Sequence, residues 1–236
     1  MPTPPDYMLA DLERMARATN YIAWQGRLVL PELGQRVIEV GCGIGNFTGM
    51  LLDREMVLAI DVAPACIERL RERYSDRPNL HAFVCEPDSA AFAALARWRP
   101  DSCVCLNVLE HIEDDGRALE AMASVLVPGG AIVLLVPAFH ALFGPIDRNL
   151  RHYRRYGRHM LAGIARRAGL RIEKLRYVNA IGFFGWWMNA RVFRREAQSA
   201  AQIAVFDRWI VPWISRLEAM APPPFGQSLF AVLRKP

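Results

Sequence analysis

Apolar residues along this chain fall into short runs that stop abruptly at glycine, acid or proline. Residues 36–40 (RVIEV), 56–60 (MVLAI), 80–85, 102–107 (SCVCLN) and 131–137 (AIVLLVP) each read as a strand. The last is apolar throughout, the pattern of a strand covered on both faces. Between these runs the period lengthens. Helices are predicted over 64–74, where Pro64 suits a first turn, over 88–98, and over 114–126, stopped by Pro128-Gly129-Gly130. Asn46 is expected to cap a further helix running through Leu52. Strands alternating with helices predict a parallel sheet joined by right-handed crossovers.

Both flanks depart from this rhythm. Residues 7–30 place Met8, Leu12, Met15, Tyr21, Ile22, Trp24 and Leu28 at helical spacing. Beyond Pro137 an Arg-rich loop (138–157) leads into a helix over 158–168, closed by Gly169, and a sixth strand over 170–178. Residues 179–227 are aromatic and helical, with Ile203, Phe206, Ile210, Trp213, Ile214 and Leu217 on one stripe and a kink expected at Pro212. A last strand over 228–234 has no helix after it and is expected to join the sheet antiparallel. The chain therefore divides as one domain over 1–236: a helical cap (1–34), a sheet core (35–137), the remaining sheet with an outer loop (138–178 and 228–236), and a helical insert (179–227).

Composition adds limits. With 236 residues, 53% hydrophobic and 22% charged, the chain can bury a full core and is not disordered. The uncharged run 177–190 is shorter than the roughly 20 residues of a spanning helix, and the N-terminus carries acids and prolines where a signal peptide needs a basic start. A cytoplasmic location is expected. The cysteines Cys42, Cys66, Cys85, Cys103 and Cys105 have no metal-site spacing and read as reduced core residues, so no metal is expected from them. The net charge of +5 conceals an asymmetry: residues 1–125 sum to −7 and residues 126–236 to +12, almost entirely as arginine. Such a split points one end of the chain at an anionic partner.

The strongest local motif is Glu39-Val-Gly41-Cys-Gly43-Ile-Gly45. Its glycines allow a sharp strand-to-helix turn that brings a ligand against the main chain. Asp61, at the end of the next strand, is placed to bind two ribose hydroxyls. A dinucleotide fingerprint would have glycine at position 46, where this chain has Asn46. An acid two residues before the first glycine suits a ligand with a cationic amino-acid tail, not a pyrophosphate.

Over residues 36–137 the chain resembles the class I S-adenosylmethionine-dependent methyltransferases. VIEVGCGIGNFT looks like the first family motif, AIDVAP carries the ribose-binding acid, CLNVLEHIEDD matches the fourth-strand motif, and LVPGGAIVLLVP the turn and fifth strand. Outside that span, NYIAW, DRNLRHYRRYGR, GWWMNARV and PPPFGQSLFAV resemble a bacterial subgroup linked to polysaccharide and glycolipid pathways. The resemblance implies an α/β fold: a seven-stranded, mostly parallel Rossmann-like sheet with helices on both faces. It also implies S-adenosyl-L-methionine as cofactor and S-adenosyl-L-homocysteine as product. Residue by residue, it assigns Glu39, Gly41, Cys42, Gly43 and Gly45 to the methionine end, Asp61 to the ribose and Val62 to the side of the adenine. Glu86 or Asp88 would hold the adenine amine, Asn107 and Val108 would line the sulfonium, and His111 would orient the loop beyond.

A sulfonium methyl is already activated, so the protein aligns a nucleophile and, for an oxygen acceptor, supplies a base. His152 is the first candidate base, with Tyr153 and His140 beside it; Asp147 and Tyr156 lie in the same loop. Arg151, Arg154, Arg155 and Tyr156, together with Tyr21, Trp24, Trp186 and Trp187, are candidates to bind the acceptor, since arginine pairs with phosphate or carboxylate and aromatics form a lid or a lipid-facing surface. The expected activity is methylation, favouring oxygen, of a small or lipid-linked anionic metabolite, with a peripheral contact to the inner face of an anionic membrane. RNA methylation is the alternative, weakened by the lack of an appended RNA-binding domain and of a base-methylating Asn-Pro-Pro-Tyr motif. A cofactor-binding regulatory scaffold is the non-enzymatic alternative.

Overall fold

The protein is described by a computed structural model covering residues 4–236, with side chains from Leu9 onward. Met8, expected on an apolar helix face, lies outside the described side chains. Seven strands form one sheet: β1 Arg36–Val40, β2 Met56–Asp61, β3 Leu80–Val84, β4 Ser102–Leu106, β5 Ala131–Pro137, β6 Arg171–Val178 and β7 Ser228–Arg234. The helices are α1 Pro4–Met15, α2 Thr19–Val29, α3 Pro64–Arg73, α4 Ala90–Ala93, α5 Asp115–Val125, α6 Pro145–Asn149, α7 Arg158–Arg167, α8 Ala180–Trp187, α9 Ala200–Val205 and α10 Val211–Met220.

Strand order is β3-β2-β1-β4-β5-β7-β6. The strands β3, β2, β1, β4 and β5 are mutually parallel, and β7 runs antiparallel between β5 and β6. The order reverses between β1 and β4, which opens a crevice at their carboxyl ends. Because β7 is antiparallel to both neighbours, β6 ends, and β7 begins, at that same edge: Ser228 pairs with Pro137 and with Val178. The antiparallel last strand thus extends the active edge across the whole width of the sheet.

Alternation along the strands separates two cores. On one face Ile38, Leu58, Cys103, Cys105, Ile132 and Leu134 pack beneath α4, α5 and α7. On the other, Val37, Val57, Val104, Val133 and Phe230 meet Trp24 and Val29 of α2 and Val211 of α10. All five cysteines are free and buried.

Three expected elements take another form. The helix from Asn46 to Leu52 is reduced to one tight turn at Thr48–Met50, because the Asn46 amide donates to the Leu12 carbonyl of α1 instead of capping its own segment. The helix expected from Asp88 begins after Ser89, whose hydroxyl accepts the Phe92 N–H, and tightens over Ala94–Trp98 before Arg99 turns left-handed. The kink expected at Pro212 is a wide helical turn over Phe206–Ile210, which absorbs the amide that proline lacks. The stripe assigned to this insert also splits: Ile214 faces inward, beside Val211 and Glu218 from outside the stripe, while Trp213 and Leu217 stand exposed. Among the described residues, no helix is long and apolar enough to cross a membrane.

Candidate active site

The crevice at the switch point is built largely by main chain. Gly41 follows β1 with φ 73°, and its N–H and that of Cys42 both donate to the Ile60 carbonyl at 2.8 and 2.9 Å. A Cβ on Gly41 would stand 2.2 Å from a Val108 methyl, so only glycine admits this approach of the loop to the end of β4. Gly43, with φ 52°, lies under the Leu12 side chain, which brings α1 directly over the loop. Asp61 braces the turn from β2: Oδ2 accepts the Gly43 N–H and Oδ1 the Ala63 N–H, each at 2.9 Å. Burial raises its pKa, and those backbone amides work against the rise.

Glu39 sits in the crevice as a buried acid whose Oε2 accepts from the Thr48 hydroxyl at 2.6 Å. Burial pushes its carboxyl up to about 8 against the pull of that hydrogen bond, with Asp61 adding like-charge repulsion. The Cys42 side chain turns away and packs with Ala59, Ile67, Leu70 and Ala82, so only its backbone can meet a ligand. Val62 is exposed at the rim. Of the two acids after β3, Asp88 pairs with Arg117 at 3.3 Å and Glu86 is exposed. Asn107 adopts φ 53° where β4 ends, its N–H donating to the Leu135 carbonyl at 2.7 Å; asparagine tolerates this left-handed conformation better than most residues.

Across the crevice the Arg-rich loop folds back on the extension of β5, with Ala138 bridging Tyr156. Its centre is Asp147, wholly buried, which accepts from Arg155 Nε at 2.7 Å, from the Gly144 N–H at 2.9 Å and from the Trp186 indole N–H at 3.4 Å. His152 Nδ1 lies 3.0 Å from Asp147 Oδ1. Burial alone would raise the Asp147 pKa; His152, Arg155 and the Gly144 amide together hold it below the usual range. His152 meets the His111 ring edge-on, with centroids 4.6 Å apart. Burial and the neighbouring His152 bring His111 down to about 4, against a hydrogen bond to the Leu150 carbonyl, so its ring is neutral at physiological pH. Glu110, 1% exposed, is raised to about 7 by burial, and its Oε2 has no hydrogen-bond partner.

Several residues expected at the acceptor serve the scaffold instead. Arg155 is buried between Asp147, the Ala138 carbonyl and the face of Trp186. Tyr156 is fully buried, its hydroxyl bonded at the Leu109 carbonyl and at Asp115 Oδ2. Arg154 pairs with Asp115 at 2.7 Å, and Trp24 belongs to the core under β1. Burial closes Arg155, Tyr156 and Trp24 to a ligand, while Arg154, partly exposed, is held by its acid. Tyr153, Arg151 and Trp187 are exposed, as is His140, which stacks on Phe143.

A cavity of about 450 Å³ lies at the same edge, bounded by Tyr21, Trp186, Phe206, Ile210, Asn179 and Gln227 among others. Among the described residues, no lysine or arginine lines it. The acid among those lining residues, Asp207, accepts the backbone N–H groups of Asn20 and Tyr21 and so caps the start of α2 from the far insert. Glu218 does the same for α8, accepting from Asn179 and Ala180.

A family model described as a methyltransferase domain matches residues 9–175. The chain belongs to this methyltransferase family. A ubiquinone biosynthesis O-methyltransferase of Ralstonia nicotianae is 31% identical to the methyltransferase over 62% of this chain and 67% of its own length. Another, from Alkalilimnicola ehrlichii, is 30% identical over 51% of this chain and 45% of its own, so the methyltransferase spans under half of that relative. Among solved structures, the Haloferax volcanii protein crystallised with a methyltransferase activator matches with a TM-score of 0.67 at 18% identity, over 98% of this chain and 95% of that one. The N-methyltransferase NodS of Bradyrhizobium japonicum, solved with S-adenosyl-L-homocysteine, matches at 0.56 and 18% identity over 93% and 86%. At such identities these structures speak for the fold alone. The methyltransferase has the Rossmann-like fold and depends on S-adenosylmethionine.

The crevice fits that cofactor. A buried carboxyl whose side-chain partner is a single hydroxyl is completed by an ammonium group, which restores the charge that burial suppresses. Thr48 was not singled out from the sequence; a hydroxyl three residues beyond the last glycine is the signal that could have found it.

Proposed function

We propose that this methyltransferase methylates a hydroxyl oxygen on a small acceptor with an uncharged, apolar body. The cavity supports this reading: it is walled by Trp186, whose indole also holds Asp147, so the acceptor space and the His152 pair share one side chain. With no lysine or arginine among the described residues of its lining, the anionic feature expected of the acceptor belongs at the rim or is absent from the acceptor. The relatives named for O-methylation favour oxygen as acceptor.

S-adenosylmethionine supplies an activated methyl group. Glu39 would hold its ammonium and Asp61 its ribose, Val62 and Glu86 would flank the adenine, and Asn107, Val108 and His111 would border the reacting end. His152, oriented through Nδ1 by Asp147, accepts the hydroxyl proton at Nε2. Asp147 and Arg155 are positioning residues. The body of the acceptor rests against Tyr21 and Trp186.

The outer surface of the insert suggests how such an acceptor arrives. Trp187, Trp209, Trp213, Leu217 and Met220 are exposed, with Arg208 over the Trp209 ring and Arg216 over Trp213. Aromatic and aliphatic groups interleaved with arginine suit the headgroup region of an anionic membrane. The test is transfer of labelled methyl into a fractionated host extract. Label in an alkali-stable ether within the small-molecule or lipid fraction is expected. Label in RNA would overturn the reading in favour of the nucleic-acid alternative, and cofactor binding without any transfer would favour a scaffold.

A further inference from the structure

Besides its aromatic walls, the cavity at the active edge carries the carboxamides of Asn179, Asn189, Gln198, Gln202 and Gln227. Two of these are committed to the fold. Asn179 Oδ1 accepts the Gly182 N–H, and its Nδ2 donates to Gln227 Oε1, each at 2.9 Å. Gln202, from α9, is different. Its Nε2 donates to Asn189 Oδ1 at 3.4 Å, and its Oε1 is buried with no hydrogen-bond partner. Among the described residues, no other side chain lining the cavity has a buried polar atom in that state. We infer that Gln202 determines acceptor specificity: it receives a second hydroxyl of the acceptor, remote from the one that is methylated.

The neighbours of Gln202 say where that hydroxyl lies. Trp186 marks the reacting end, because its indole donates to Asp147, which orients His152. Asn189 follows Trp186 by three residues on the continuation of α8, about one helical turn, roughly 5 Å, farther from the sheet edge where α8 begins. Gln202 pairs with Asn189 there. An acceptor that extends from His152 past Trp186 therefore brings its other end to the Gln202–Asn189 pair, with Tyr21, Trp186 and Phe206 against its apolar body.

The chemistry of the lining narrows the group at that end. A methyl group or an ether there leaves the amide oxygen without a donor, which is costly once water is excluded. An ammonium group is disfavoured too. Asp207, the acid among the lining residues, is already taken by the Asn20 and Tyr21 N–H groups and the Asn20 amide, so it has little left to balance a buried cation. Rotation about the last side-chain bond of Gln202 presents either atom of its amide to the cavity. A hydroxyl suits both, since it donates and accepts. A site holding an unpaired polar group rejects an analogue that lacks the matching hydroxyl far more sharply than an apolar wall rejects one by size.

This inference rests on the proposed methylation of a hydroxyl held in the cavity, and the experiment separates the two. The full chain is saturated with S-adenosyl-L-homocysteine, which permits acceptor binding without turnover. Calorimetry then compares hydroquinone with para-cresol, and para,para′-biphenol with its analogue in which methyl replaces one hydroxyl. Each pair differs only in the second hydroxyl, at two lengths. The parent should prefer the dihydroxy member of at least one pair, and Gln202→Leu should reduce that preference about 10- to 100-fold. Gln202→Glu keeps an oxygen acceptor and should retain it. Circular dichroism confirms that each variant is folded. In transfer assays with S-adenosylmethionine, Gln202→Leu should raise KM for the preferred dihydroxy compound more than it lowers kcat.

A preference equal in the parent and in Gln202→Leu, or no preference within either pair, overturns the role of Gln202 while leaving the cavity as the acceptor space. Binding of no member of either pair removes the cavity as that space, and the inference with it. A preference that depends on Gln202 without methyl transfer to oxygen supports the hydroxyl site and overturns O-methylation instead.

Discussion

The two halves of the active edge are built by opposite means. On the cofactor side, a few consecutive residues from Glu39 to Gly45 shape the crevice through backbone amides and left-handed turns, and Asp61 locks them from the adjacent strand. On the acceptor side, side chains from distant segments are held by one another: Asp147 gathers Arg155, His152 and Trp186, while Asp207 and Glu218 cap helices far from them in sequence. The charge asymmetry follows the same division, though not as a map of ligands. In the basic half Arg155 is sealed against Asp147, Arg154 against Asp115, Arg191 on the Ala141 carbonyl and Arg158 on that of Leu175. Much of the excess arginine therefore joins loops to the sheet. A local crevice should fail by losing its ligand, and a dispersed network should fail by losing its fold.

The largest test of that contrast is Asp147→Ala. The variant leaves the Arg155 guanidinium buried without its counter-charge and releases both His152 and Trp186. Breaking one partner of a buried pair costs about 3–5 kcal/mol. Chemical denaturation should show a loss of that size, with cofactor affinity changed less than tenfold in the fraction that remains folded. A loss under 1 kcal/mol would mean that the acceptor side is not held together by this network.

Gly41→Ala tests the other half. A methyl group there meets Val108 and must also adopt a left-handed conformation, a strain of about 1–2 kcal/mol before the clash is counted. Cofactor affinity should fall about 100-fold by calorimetry, while the unfolding midpoint falls less than in Asp147→Ala. Adding Val108→Ala should recover part of the affinity, since it removes the clash and leaves the backbone strain. Equal loss with and without Val108 would assign the effect to φ alone.

The same contrast explains how far the chain could be read in advance. The alternation of strands and helices along the chain, the antiparallel last strand and the glycine turn of the crevice were legible because each depends on a local period, a glycine turn or the direction of a strand. Arg155, Tyr156 and Trp24 were misassigned because chemistry-bearing residue types look alike whether they face a ligand or an internal partner. Only tertiary contacts, such as Tyr156 with Asp115 or Arg155 with Asp147, distinguish the two. The helix expected from Asn46 failed for a related reason: its cap is drawn to Leu12, on an element whose position the local sequence does not encode. The caps supplied by Asp207 and Glu218 left no local signature at all.

A smaller effect probes the charge of the crevice. In the free protein the Glu39 carboxyl, raised to about 8, is protonated at neutral pH, whereas the ammonium of the cofactor favours its ionised form. Binding must therefore expel a proton. Affinity should rise with pH between about 6 and 7.5, with close to one proton released per cofactor, measured by calorimetry in buffers of different ionisation enthalpy. Glu39→Gln should bind about tenfold more weakly and release none. Proton release that persists in this variant would move the cationic contact to another residue.

The smallest expected effect on the fold lies at the outer face of the insert. Trp209 and Trp213 are each 63% exposed, with an arginine over each ring, so Trp209→Ser with Trp213→Ser should change stability by no more than about 0.5 kcal/mol per site. Turnover of a water-soluble acceptor should likewise be unchanged, because neither ring bounds the cavity. Vesicles rich in anionic lipid should nevertheless float the parent chain at low salt and lose it at high salt, as expected for contacts that depend on arginine. The double variant should bind such vesicles several-fold more weakly at either salt concentration, since it has lost the apolar part of the attachment. If both proteins float alike, the tryptophans are not the contact and the arginines alone must account for it. If neither floats, the acceptor reaches the cavity from solution.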